Sequence, residues 1–269
     1  MRWALPLLLL LAGCTAAPGT QGTGMVGIPA PNVVLTASYA LPPGPAVAPA
    51  IVALHGCGGP WAARDNQWRD LFLAAGHPVL LPDSFGSRGL GSQCSVVSRS
   101  VSPRRERRAD TLASLQWLAA QPGTPPGGLV VMGWSNGGST VLATAEQGVV
   151  PPGLVRGYVA MYPGCASYAR RAGWIPAAPI LIMMGADDDW TPAAPCKELA
   201  ARFPEKIKLV LFPGAYHDFD APNRPVTTRR GLATTANKNG TAQAGTNPEA
   251  RQAALRDIPT WINNLPPTQ

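Results

Sequence analysis

Beyond its N-terminus the chain has no apolar run approaching the roughly 20 residues of a membrane span. The body is therefore expected to be soluble. Histidine is scarce, with three in 269 residues. No two cysteines have zinc-ligand spacing, so neither a metal nor a cofactor is expected. Aromatic residues do not interleave with the basic ones, which argues against nucleic-acid binding. Neither repeats nor an internal linker divide the chain. The formal charge is +7, from 22 Lys+Arg against 15 Asp+Glu. The basic residues are scattered, apart from Arg104-Arg105-Glu106-Arg107-Arg108. That cluster falls at the start of a helical pattern, with Ser102 as N-cap and Pro103 at the first helical position. It reads as a solvated face, with contact to anionic lipid headgroups as the alternative.

The N-terminus carries a leader. Met1-Arg2 supplies a positive charge, and Ala4 to Ala12 supply a Leu-rich apolar stretch too short to span a bilayer, the pattern of a secretory signal. Leu11-Ala12-Gly13-Cys14 resembles a bacterial lipobox, which implies removal of residues 1–13 and lipid on Cys14. The alternative is an ordinary signal with an incidental cysteine. Residues 15–31, rich in Gly, Thr, Pro and Ala, read as a flexible tether. The domain is then 32–269, in an exported protein held by lipid on the periplasmic or outer side of a membrane.

The organising stretch is Leu129-Val-Val-Met-Gly133-Trp-Ser135-Asn-Gly137-Gly. An apolar strand runs into Gly-x-Ser-x-Gly, and a helical pattern opens after it. That is the context of a nucleophile elbow. A Cβ at Gly133 or Gly137 would clash with a neighbouring strand or helix. The alternative is a glycine-rich turn with an idle serine. On either side, apolar strands alternate with helical patterns. Strands are expected over Val33–Ala40 (an outer strand), Ala50–Leu54, 78–81, Val155–Met161, 180–184 and Ile207–Phe212. Helices are expected over 65–75, from Pro103 onward, from Thr191-Pro192 to about Phe203, and over roughly 248–264. A long loop covers 84–102, and a polar stretch covers 221–247. This alternation predicts an α/β fold with a mostly parallel, doubly wound sheet and no separate cap domain.

A serine hydroxyl needs an adjacent base to act as a nucleophile at neutral pH. Of the three histidines, only His217 both follows the last strand and lies at the sheet edge of Ser135. His55 sits in a strand-end loop and reads as structural. His77 lies at the opposite edge. The base in turn needs a carboxylate. The strand 180–184 runs into Gly185-Ala-Asp187-Asp188-Asp189-Trp-Thr-Pro192, so one of three aspartates completes the order Ser, Asp, His. Two N–H donors must meet the oxyanion. The candidates are the backbone N–H of Asn136 and, from His55-Gly56-Cys57, that of Cys57.

These segments together resemble the dienelactone hydrolase family of α/β-hydrolases over about residues 32–265. The resemblance rests on Leu54-His-Gly-Cys-Gly-Gly, Leu80-Leu-Pro-Asp-Ser-Phe-Gly, Gly133-Trp-Ser-Asn-Gly-Gly, Gly185-x-x-Asp188-x-x-x-Pro192 and Ala215-Tyr-His217-x-Phe219. It implies the α/β-hydrolase fold and selects Asp188 from the three aspartates. The founding enzymes use cysteine at the elbow, where this chain has Ser135. The resemblance implies ester hydrolysis, and with the residues above the expectation is cleavage of a small-molecule ester or lactone by a Ser135–Asp188–His217 triad; the chain is expected to be a monomer. A peptidase or acyltransferase on the same fold, or a non-catalytic surface binding protein, is the alternative.

Five cysteines fit export. With Cys14 lipidated, Cys57, Cys94, Cys165 and Cys196 remain, and these allow three pairings. Cys165 and Cys196 both leave the C-terminal edge of the sheet, after consecutive strands, as do Cys57 and Cys94. The expected bridges are therefore Cys57–Cys94 and Cys165–Cys196.

Overall fold

A computed structural model describes residues 23–268. The leader, the lipobox and Cys14 lie outside these residues. The main sheet comprises β1 (Gly24–Ala30), β2 (Val33–Ala40), β3 (Ala50–Leu54), β4 (Val79–Pro82), β5 (Leu129–Trp134), β6 (Val155–Met161), β7 (Ile180–Gly185) and β8 (Ile207–Phe212). Their order across it is β1-β2-β4-β3-β5-β6-β7-β8. The β1–β2 and β2–β4 pairs are antiparallel. Every later neighbour is parallel. Residues of β3, β5 and β7 are buried throughout. This is why those strands read as continuous apolar runs rather than as alternating ones. The helices are α1 (Ala62–Ala74), α2 (Glu106–Ala119), α3 (Asn136–Thr144), α4 (Ala166–Ala169), α5 (Ala194–Arg202) and α6 (Pro248–Asn263). The architecture is the α/β-hydrolase arrangement, without a separate cap among the described residues.

Three local expectations are corrected. Residues 24–30 belong to β1 rather than to a tether, and β1 rather than β2 is the outer strand. Val26 and Ile28 point inward and are buried, while a turn at Asn32 (φ 63°) folds β1 back on β2. Helix α2 starts at Glu106, and Ser102 does not cap it. Instead the Glu106 carboxylate reaches back to accept from Ser102 N and Oγ, at 2.8 and 3.0 Å. The polar stretch 221–247 contains a small two-stranded sheet, β9 (Thr227–Arg229) and β10 (Ala242–Ala244). Ala244 bridges to His217, and Gly245 N donates to His217 O at 2.9 Å.

Two disulfides join Cys57 to Cys94 and Cys165 to Cys196, with Cα separations of 4.9 and 5.1 Å. The first fastens the 84–102 loop to the loop after β3. The second ties the segment after β6 to α5. Such bonds persist in an oxidising compartment, so they point to an exported protein. Among the described residues, no helix is long and apolar enough to cross a membrane.

Candidate active site

Ser135 stands between β5 and α3 at the C-terminal edge of the sheet. Its backbone has φ 54° and ψ −111°, a region that costs a non-glycine residue about 1–3 kcal/mol. The surrounding structure enforces this geometry. Ser135 N donates to Met161 O on β6 at 2.9 Å, and Ser139 N donates back to Ser135 O at 2.8 Å. Close approach explains the two elbow glycines. A Cβ on Gly133 would lie 2.6 Å from the Gly137 carbonyl. One on Gly137 would strike the Leu54 carbonyl and lie 2.6 Å from that of His55.

His217 follows β8 and is buried, 1% exposed, at the wall of a cavity that reaches Ser135. Its Nε2 lies 2.8 Å from Ser135 Oγ, and its Nδ1 lies 2.7 Å from Asp188 Oδ2. Both bonds form together when Nδ1 carries the proton, which leaves Nε2 free to accept from the serine hydroxyl. Asp188 is held by the turn after β7. Its Oδ1 accepts from Trp190 N and Thr191 N, both at 2.9 Å. The flanking aspartates face elsewhere. Asp187 accepts from Gly214 N at 2.7 Å, and Asp189 accepts from Gln243 N at 2.8 Å. Burial disfavours a charged His217 ring. Asp188, with smaller contributions from Asp218 and Asp220, outweighs that and raises its pKa above the ordinary value. A base so placed can take the serine proton, and Asp188 can stabilise the imidazolium that results.

The structure also gathers residues whose importance the sequence did not disclose. Thr191 Oγ1 lies 3.1 Å from Asp188 Oδ2, 3.2 Å from His217 Nδ1 and 3.0 Å from Tyr162 O. In the sequence it read only as a helix start. Asp220 is fully buried. It accepts from the indoles of Trp68 and Trp134 at 2.8 and 2.9 Å, and from Tyr162 Oη at 2.6 Å. Burial raises its pKa. The Tyr162 ring packs edge-on against His217 at 4.6 Å. Arg107, expected on a solvated face, is 1% exposed. Burial pushes its guanidinium down to about 9, so it stays cationic at neutral pH. A sequence signal was present: Arg107, Asp110, Thr111 and Ser114 follow the 3.6-residue period and share the buried side of α2 with Leu115 and Leu118.

Asn136 N opens α3, and Cys57 N lies in the loop after β3. Neither has a backbone acceptor among the described residues. His55 is buried beneath that loop. His77 lies away from the site, bonded to Asn263 Oδ1 at 3.1 Å. No three His, Cys, Asp or Glu side chains among the described residues converge as a metal site. Two cavities, of about 660 and 720 Å³, both reach Ser135. The first is lined by Arg99, Arg104, Arg105, Arg108 and Arg171.

The model of the dienelactone hydrolase family matches residues 35–265. This chain belongs to the dienelactone hydrolase family. No curated protein matches the sequence. Among solved structures, a candidate dienelactone hydrolase from Klebsiella pneumoniae superposes with a TM-score of 0.68 at 17% identity, covering 90% of this chain and 98% of that one. The dienelactone hydrolase-like promiscuous phosphotriesterase P91 from metagenomic libraries gives the same score and identity over 90% and 97%. A thermophilic esterase from Thermogutta terrifontis gives 0.59 at 18% identity over 77% and 89%. At these identities the family member shares a fold with the three structures, and nothing finer follows from the likeness.

Proposed function

We propose that this family member is an exported serine hydrolase that cleaves a carboxylic ester or lactone through an acyl-enzyme. The observation that carries the reading is the continuous hydrogen-bonded chain from Ser135 Oγ through His217 to Asp188. In the proposed reaction Oγ attacks the acyl carbon as its proton passes to His217 Nε2. The tetrahedral oxyanion accepts from Asn136 N–H and Cys57 N–H. The C–O bond to the alcohol then breaks, and the departing oxygen takes the proton from Nε2. Water repeats the sequence on the acyl-Ser135 ester, releasing the acid. Attack by another alcohol at that last step would make the enzyme an acyltransferase.

The larger features of the cleft favour an anionic substrate. Glu146 engages Arg171 at 2.8 Å and Arg108 at 3.9 Å, and Glu106 lies 3.5 Å from Arg105. Arg99 and Arg104 have no carboxylate within ion-pair distance among the described residues. Arg99 Nε donates to Gln93 O at 2.8 Å, and burial lowers the pKa of its guanidinium. The same reading has the enzyme act as a monomer held by lipid on Cys14. Its test is a comparison of p-nitrophenyl acetate with the p-nitrophenyl hemiester of succinate. A higher kcat/KM for the succinate ester, falling with added salt, supports the assignment. Equal turnover with no salt dependence counts against the anionic substrate. No turnover of any ester counts against the hydrolase.

A further inference from the structure

Two buried groups beside Ser135 take no part in those proton transfers, His55 and Arg107. The His55 ring makes two polar contacts. Its Nδ1 lies 2.8 Å from Gly56 O, and its Nε2 lies 3.1 Å from Ser84 N. A backbone N–H can only donate, so Nε2 must carry a lone pair and Nδ1 the proton. One tautomer is thereby fixed, with Nδ1–H donating to the Gly56 carbonyl. That carbonyl belongs to the same peptide unit as the N–H of Cys57, one of the two proposed oxyanion donors. An amide whose oxygen accepts a hydrogen bond is polarised and presents a stronger N–H donor at its other end. The charged groups around the ring are Arg107, Arg64 and Asp83, whose Oδ1 is 3.5 Å from Nε2. Asp83 Oδ1 is already occupied by Phe85 N and Gly86 N, at 3.0 and 2.8 Å. Burial, with the two arginines, holds the ring well below the usual histidine pKa and so neutral.

Arg107 links this loop to the elbow. Its Nη1 donates to Asn136 Oδ1 at 2.6 Å and its Nη2 to His55 O at 2.8 Å. Asn136 supplies the second proposed donor. One guanidinium therefore spans the two segments that present the two N–H groups. Its planar fork suits two acceptors at once, which a lysine cannot match.

We propose that His55 and Arg107 are positioning residues for the oxyanion site: His55 Nδ1–H orients and polarises the Gly56–Cys57 peptide, and Arg107 sets its distance from the Asn136 turn. The proposal rests on the Ser135 acyl-enzyme reading. It also gives His55 a role in the reaction, where the sequence suggested only a structural one.

Amide substitutions separate the two ring contacts. In His55→Asn the side-chain NH2 occupies the place of Nδ1 and keeps the bond to Gly56 O. In His55→Gln the amide reaches the place of Nε2, keeps the Ser84 contact and loses the bond to Gly56 O. Removing an oxyanion donor outright costs about 10²–10³ in kcat. Loss of its orientation should cost less, about 10- to 100-fold in His55→Gln. KM for p-nitrophenyl acetate should stay within about twofold, as for an interaction made only in the transition state. Affinity for an aryl trifluoromethyl ketone, whose adduct with serine is tetrahedral, should fall in proportion to kcat. His55→Asn should retain most of both, and Arg107→Lys should fall between. Equal losses in the Asn and Gln variants would overturn the proposal, as would a loss confined to KM or an unchanged ketone affinity.

The wild-type protein gives a reading that no folding defect can obscure. With ¹⁵N-labelled histidine, His55 should appear as a non-titrating ring protonated at Nδ1, and its signal should shift when the ketone adduct forms. An Nε2-protonated ring, or one indifferent to the adduct, contradicts the proposal. Failure of the underlying reading looks different, since Ser135→Ala would then leave turnover intact. Failure of this inference leaves turnover dependent on Ser135 but indifferent to His55.

Discussion

Asp220→Ala should damage this protein more than its distance from the chemistry suggests. The carboxylate joins α1, the elbow strand and the segment after β6 through Trp68, Trp134 and Tyr162. Alanine leaves three buried donors without an acceptor, and each orphaned group costs about 1–3 kcal/mol. The sum is about 4–6 kcal/mol, allowing for some repair by water entering the space. For a chain of this size, 1 kcal/mol moves the melting temperature by roughly 2–4 °C, so a drop of about 10–20 °C is expected. Asparagine provides a control. Its oxygen can still accept from both indoles, while its NH2 donates to Tyr162 Oη, which turns from donor to acceptor. The cost should shrink to about 1–2 kcal/mol, the loss of charge assistance. Activity should follow, because Trp134 precedes Ser135 and the Tyr162 ring packs on His217. Thermal unfolding of the three proteins, with kcat measured well below each melting temperature, checks the argument. An Asp220→Ala melting temperature within about 3 °C of wild type would refute it, as would an asparagine variant no better than alanine.

Three further outcomes are expected. Asp188→Asn should lower kcat on the order of 10⁴-fold, because the amide imposes the wrong His217 tautomer. Asp187→Asn and Asp189→Asn should each cost less than about tenfold, and a larger loss at Asp187 would shift the acid by one residue. The raised pKa of His217 places the rising limb of kcat/KM above pH ~6.5, since only the neutral ring accepts the serine proton. The same shift stabilises the fold fully below the unfolded value of about 6.5 and is lost as pH rises through the folded value. A limb below pH ~6 would contradict that direction. Cys14→Ser should abolish metabolic palmitate labelling and release the protein from membranes, and equal membrane recovery would count against the lipid anchor.

What the sequence disclosed, and what it hid, has a physical pattern. Strands buried on both faces announce themselves as unbroken apolar runs, so β3, β5 and β7 were legible. The elbow was legible because Gly133 and Gly137 answer a steric demand local to the turn. Chain order placed Ser135, an aspartate and His217 after β5, β7 and β8, and only the family pattern Gly185-x-x-Asp188-x-x-x-Pro192 singled out Asp188 among its neighbours. The small outer strand β1 was not legible, because only Val26 and Ile28 face inward from a Gly- and Pro-containing segment. Arg107 was hidden by its neighbours. Arg104, Arg105 and Arg108 line the open cavity, so composition gives no sign that one arginine of the four turns inward, and only its spacing to Asp110, Thr111 and Ser114 marks the buried side of α2. Asp220 acts wholly through partners distant in the chain, and the Thr191 hydroxyl, though it bonds the nearby Asp188, also meets Tyr162 and His217 across the fold, contacts that no local pattern encodes.

In the proposed reaction Ser135 is the nucleophile that carries the acyl group. The most direct measurement is labelling with an alkyl fluorophosphonate, followed by intact-mass and peptide analysis, on wild type and Ser135→Ala. The account predicts a single adduct on Ser135 in the wild type. It predicts no adduct and no esterase turnover in a folded Ser135→Ala protein, with loss of labelling also in His217→Ala. An adduct on another residue, or undiminished turnover by Ser135→Ala, would contradict it.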